Sequence, residues 1–179
     1  MNLLINGSNR EKNNYNILND IKSDNDELIS LTNKNIKFCI GCNSCLNKLE
    51  NHCVLNDYIT EIYSKILKAD KIVFASPLYM SNITATLKAL IDRLAPFYYH
   101  SLFQGKEISL ILTGQGTEEE NETEIKAIID YFTGISEWMD FKFKFLAYFT
   151  SGDLKNIDDV KIANIDYDQK INKIKEELN

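Results

Sequence analysis

Short apolar runs alternate along this chain with segments whose apolar residues recur every three or four positions, and few folds satisfy that alternation. Residues 2–6, 27–31, 71–76, 107–113 and 141–149 read as strands. Several of these runs are apolar almost throughout, the pattern of a strand covered on both faces. Between and after them, residues 14–22, 56–67, 83–94, 122–132 (extended toward 139) and 166–178 read as helices. Tyr58, Ile59, Ile62, Tyr63, Ile66 and Leu67 share one helical face behind the capping candidates Asn56 and Asp57. Ile83, Leu87, Leu90, Ile91 and Leu94 share another. Strand followed by helix, five times over, predicts a parallel sheet with helices on both faces.

The 179 residues suffice for one domain with a single core. No internal repeat or break in composition marks a second, so residues 1–179 are expected to form one domain with a cysteine-rich insert at 39–57. No stretch approaches the about eighteen apolar residues of a membrane span, and residue 1 does not open a signal-peptide pattern. A net charge of −6 argues against nucleic acid or an anionic membrane as partner. A cytoplasmic location is expected.

In such sheets ligands bind beyond the carboxyl ends of the strands, where strand order reverses. The chain places its scarce Gly and Pro residues there: Gly7 after the first strand, Pro77 after the third, Gly114 and Gly116 after the fourth. In the first turn, Ser8, Asn9, Asn14 and Tyr15 offer neutral donors. Arg10, one of only two arginines, offers a planar forked cation. The next helix would aim its free N–H groups at the same place, which suits a phosphate monoester. The turn is neither a Walker A loop nor a Gly-x-Gly-x-x-Gly turn. The competing reading is an ordinary polar loop.

Pro77, Leu78, Tyr79 and Met80 combine a rigid, an apolar and an aromatic residue at a strand end, the components of a wall for a flat heteroaromatic ring. Thr113, Gly114, Gln115 and Gly116 could close such a pocket with bare backbone. Taken alone, Tyr79 is equally a half-buried surface aromatic and the glycines a plain turn. Arg93 is expected in a structural or interfacial ion pair, and Tyr98, Tyr99 and His100 at a subunit interface. His52 and His100 read as surface or core residues, not catalysts.

All four cysteines fall in one run, Cys39-x2-Cys42-x2-Cys45-x7-Cys53. Two successive two-residue gaps let three thiolates converge on one polynuclear centre, with the fourth on a short return, like the first three cysteines of a bacterial ferredoxin site. Zinc usually takes two separated knuckles and fits less well. Free thiols are the other alternative.

The turn Gly7-Ser-Asn-Arg10 with Asn14, the turn Ser76-Pro-Leu-Tyr79 and the stretch Leu87-Lys-Ala-Leu-Ile-Asp-Arg93 together resemble the NAD(P)H-dependent FMN reductase family. The cysteine run, with Gly41 before Cys42 and Asp57 after Cys53, is similar to its iron–sulfur flavoprotein branch, as is Gly152-Asp153. Asn9 stands where the family often has proline, and Asn13 where it usually has glycine. The resemblance implies a flavodoxin-like α/β sandwich, strand order 2-1-3-4-5, with non-covalent FMN and a homodimer or homotetramer. By the same resemblance Ser8, Arg10, Asn14 and Tyr15 would hold the FMN phosphate. Pro77, Leu78, Tyr79 and Met80 would flank the isoalloxazine, and Thr113 to Gly116 would approach its far edge. Cys39, Cys42, Cys45 and Cys53 would ligate a 4Fe–4S cluster. The implied activity is an FMN-dependent oxidoreductase passing electrons from NAD(P)H or a ferredoxin-like donor to a small-molecule or protein acceptor, without a side-chain acid or base. A non-enzymatic flavodoxin-like electron carrier and a cysteine-based metal- or redox-sensing module are the alternatives.

Overall fold

The computed structural model describes residues 1–46, 53–150 and 165–178. Its elements run β1 (Asn2–Asn6), α1 (Asn13–Ile21), β2 (Glu27–Ser30), a single 3-10 turn (Ser44–Leu46), α2 (Tyr58–Lys68), β3 (Lys71–Pro77), α3 (Ala85–Asp92), α4 (Ala95–Tyr99), β4 (Glu107–Gly114), α5 (Glu122–Met139), β5 (Lys142–Thr150) and α6 (Ile165–Leu178). The five strands form one parallel sheet in the order β2-β1-β3-β4-β5. This is the flavodoxin-like order that the family resemblance implies, and its reversal point lies between β1 and β3.

Strand alternation sorts the core into two layers. Leu3, Ile5, Ile72 and Phe74 pack with residues of α2, α3 and α5 on one face of the sheet. Leu4, Val73, Ala75 and Ile111 pack with α1 and α6 on the other. Each central strand is therefore covered twice, which is why its sequence reads as an unbroken apolar run.

The helix read at 83–94 is present as α3, capped by Thr84 and ending at Asp92, and a further short helix that the sequence reading lacks, α4, starts at Ala95 with Pro96 in its first turn. Pro96 lacks the N–H that would continue α3, so the apolar face carries on past the end of α3. The strict alternation of strand and helix is accordingly interrupted between β3 and β4. At α2 the capping residue is Asp57, not Asn56. The Asp57 carboxylate accepts from the Ile59 N–H, and Thr60 reciprocates by accepting from the Asp57 N–H at 3.1 Å.

Candidate functional site

The turns after β1, β3 and β4 meet at one rim of the sheet. The Gly7 N–H donates to Ala75 O at 2.8 Å, and Thr84 Oγ1 donates to Gly7 O at 2.5 Å. Thr86 Oγ1 donates to Asn9 Oδ1 at 2.6 Å. These contacts fasten the first turn to α3. They require close backbone approach, for a Cβ on Gly7 would lie 2.9 Å from Leu87 Cβ and 3.1 Å from Ala75 O. The Leu78 N–H donates to Thr113 O at 2.8 Å, joining the second turn to the third.

Asn6, the last residue of β1, organises the first turn from below. Its amide accepts from the Ser8 N–H at 3.1 Å and donates to Ser30 Oγ at 2.9 Å. Thr32 Oγ1 donates to Ser8 O at 3.0 Å, and the Ser8 hydroxyl accepts from the Arg10 N–H at 3.1 Å. Ser8 is thus buried and used in shaping the loop. Arg10 is exposed, and among the described residues its guanidinium has no partner. No side chain caps α1, and its first turn holds no acidic residue. Asn14 is 2% exposed, with a side-chain oxygen that has no hydrogen-bond partner among the described residues. Tyr15, half-buried, follows it in the same turn.

These features fit a phosphorylated polyol. The uncapped amides and Arg10 suit the phosphate. A sugar-alcohol hydroxyl would satisfy the Asn14 oxygen, and the amide turned over would present N–H groups to an anion instead.

In the second turn, Tyr79 and Asn82 pair through Tyr79 N–H to Asn82 O at 2.8 Å and Asn82 N–H to Tyr79 O at 3.2 Å. The two residues between them are left-handed, Met80 at φ +49° and Ser81 at φ +61°, a conformation costly for side chains of this kind. Pro77 and Leu78 are half-buried, whereas Tyr79 is 40% exposed and Met80 is 99% exposed. Met80 therefore projects from the tip of the turn, with little contact to the rest of this chain.

Thr113 is buried, and Gly114 lies against the Tyr148 hydroxyl, where a Cβ would collide with it. That hydroxyl is shared between Gln115 O at 3.3 Å and Gly116 O at 3.4 Å, so β5 moulds the third turn. Asn6, Thr32, Thr84 and Tyr148 are absent from the sequence expectations. Only Thr84, a Thr directly before a helix, carries a local signal.

The four cysteines line one cavity of about 100 Å³ together with Arg93 and Tyr99. All four are free thiols, Cys39 and Cys42 exposed, Cys45 and Cys53 partly buried. Burial, then the neighbouring Cys53, Cys39 and Cys42 groups, push the Cys45 thiol up, while hydrogen bonds at Ser44 pull Cys42 down. Among the described residues no group of three or more His, Cys, Asp or Glu side chains is placed to hold a metal ion. Four soft sulfur donors around one cavity are the residue type that an iron–sulfur site uses, without being brought to ligating positions here. Arg93 is in a buried ion pair with Asp57, as the structural reading expected.

Tyr98 stacks on Trp138 with ring centroids 4.1 Å apart, and the neighbouring Tyr99 is exposed. His52 and Gly152-Asp153 lie outside the described residues. No helix among the described residues is long and apolar enough to cross a membrane.

An iron-sulfur flavoprotein of Methanocaldococcus jannaschii is 36% identical over 106 residues, 59% of this chain and 54% of the relative. One of Archaeoglobus fulgidus is 33% identical over 96 residues, 54% of this chain and 43% of the relative. The chain thus spans about half the length of the curated relatives it matches. Among solved structures, an NADPH-quinone reductase from P. pentosaceus aligns with a TM-score of 0.67 over 99% of this chain and 96% of its own, at 12% identity. An FMN-dependent NADH-azoreductase from Bacillus anthracis aligns at 0.65 over 98% and 96%, at 14% identity. Both likenesses establish the fold. The model of the NADPH-dependent FMN reductase family matches residues 2–133, most of the chain and all three rim turns, and the chain belongs to that family.

Proposed function

We propose that this chain is an FMN-dependent oxidoreductase that takes electrons from a reduced nicotinamide or a ferredoxin-like protein. The observation that carries the reading is the first turn. A buried Asn14 oxygen and an Arg10 guanidinium, both without a partner among the described residues, stand with an uncapped α1 at the strand-order reversal.

Arg10 and the first amides of α1 would bind the phosphate. Asn14 and Tyr15 would orient the polyol chain. Pro77, Leu78 and Tyr79 would exclude water from one side of the ring, and the backbone of Gly114 to Gly116, held open by Tyr148, would face its polar edge. Bound FMN supplies hydride and single-electron transfer; the protein contributes position and electrostatics. Cys39, Cys42, Cys45 and Cys53 would hold a 4Fe–4S cluster, which adds one-electron exchange. Four thiols around one cavity and the names of the relatives support that part.

The test is a fluorescence titration of FMN with the metal-free chain under argon. It is followed by anaerobic reconstitution with ferrous iron and sulfide, then steady-state oxidation of NADH and NADPH with a quinone acceptor. Quenching with saturation, about four irons per chain and turnover are the expected results. Unchanged FMN emission at every protein concentration overturns the flavin assignment. Binding without turnover makes the chain an electron carrier.

A further inference from the structure

The cysteine segment leaves and re-enters the sheet layers through Lys37 and Leu55, and one side chain grips both. Arg93 Nη1 donates to Lys37 O at 3.1 Å, and Nη2 donates to Leu55 O at 3.0 Å. Nη1 also donates to Asp57, and that ion pair is fully buried on both sides. Asp57 in turn accepts from the Lys37 N–H at 2.7 Å. Lys37 is therefore held through both of its backbone polar groups. Arg93 is itself fixed at both ends, because its carbonyl accepts from the buried Tyr63 hydroxyl. Its Nε–H has no partner among the described residues, although Arg93 lines the thiol cavity.

We propose that Arg93, locked by Asp57, is the positioning residue of the four-thiol site, closing the base of the cysteine segment so that the thiols line one cavity before anything binds there. The inference rests on the four-thiol part of the reading above. Three features demand arginine. The two carbonyls lie on opposite stems, so a planar fork reaches both where a single ammonium does not. A buried guanidinium also places a fixed positive charge in the wall of the thiol cavity, where it favours the anionic form that a sulfur ligand must take. The spare N–H, costly while unpaired, faces no competing protein acceptor. Partners of this kind behind a ligand set typically change metal affinity by about 10–100-fold.

The test compares the wild-type chain with Arg93→Lys and Asp57→Asn. In the metal-free proteins, hydrogen exchange is followed in peptides covering residues 37–46 and 53–57 and, as reference, in β3 and α1. The expected result is exchange faster by about tenfold in the first two regions, an unchanged reference and an unchanged FMN dissociation constant. After reconstitution with ferrous iron and sulfide, iron retention against a chelator should fall by about 10–100-fold. Equal acceleration everywhere, or failure of both variants to fold, makes Arg93 a general stabiliser and overturns the proposal, as does wild-type exchange in both variants. Should the wild-type chain itself retain no iron, the cluster assignment fails, and the exchange comparison still decides the role of Arg93.

Discussion

Arg93 and Asp57, 36 positions apart in the chain, form an ion pair with both side chains fully buried. Burial by itself would raise the Asp57 carboxyl. The hydrogen bonds from Arg93 and from the Lys37 N–H outweigh it and hold the carboxyl below its ordinary value of 3.8. A depressed acid contributes stability that is present above its unfolded value and lost as pH falls through the lower folded value. The wild-type chain should therefore lose stability below about pH 4, and Asp57→Asn should lack that part of the acid limb. Urea titrations across pH 2–5 measure it. At neutral pH, Asp57→Ala should cost about 3–5 kcal/mol, since it strands a buried guanidinium.

Arg10→Ala should weaken FMN binding by about 1.5–3 kcal/mol through loss of a charge-assisted phosphate contact. That is roughly 10–100-fold in the dissociation constant. Riboflavin, which lacks the phosphate, should bind wild type and variant alike. Fluorescence titration with both ligands checks the pair of outcomes, and equal losses for the two would remove Arg10 from the phosphate site.

Gly114→Ala should destabilise the fold by about 1–3 kcal/mol, because its Cβ meets the Tyr148 hydroxyl inside a packed rim. Combining it with Tyr148→Phe should cost less than the sum of the two single changes, since the second removes the colliding oxygen. Thermal unfolding of the four members of the cycle measures the coupling.

Thr84→Val keeps the side-chain shape but removes the hydroxyl that donates to Gly7 O and accepts from the Leu87 N–H. A loss of about 1–2 kcal/mol is expected from the missing cap and the unpaired carbonyl. Because that hydroxyl ties α3 to the first turn, FMN affinity should fall as well. An unchanged affinity would mean that the turn keeps its form without α3.

Strands 2–6 and 27–31 coincide with β1 and β2 to within one residue, and the helix at 122–132 does extend to Met139 as its pattern allowed. Apolar periodicity reports which faces are covered, and in a parallel sheet that signal is repeated in every strand. It does not report a short added helix, so α4, started by Pro96 just beyond the helix read at 83–94, went unseen. Arg10 and Asn14 were visible as candidates because Arg is rare here and both follow Gly7. Asn6 and Tyr148 were not visible, since each acts across the sheet on a turn distant in sequence. Met80 read as apolar, and its near-complete exposure at the tip of the second turn is visible only in the folded chain.

The amino-acid order by itself determined the layered parallel sheet, the rim at which three turns end and the thiol-bearing run, because these depend on local periodicity and on the chemistry of single residue types. Tertiary structure decided which groups on that rim stay unsatisfied and that one guanidinium closes both stems of the cysteine segment. Such pairings depend on distances between residues far apart in the chain, and those distances exist only once the two apolar faces of the sheet are packed.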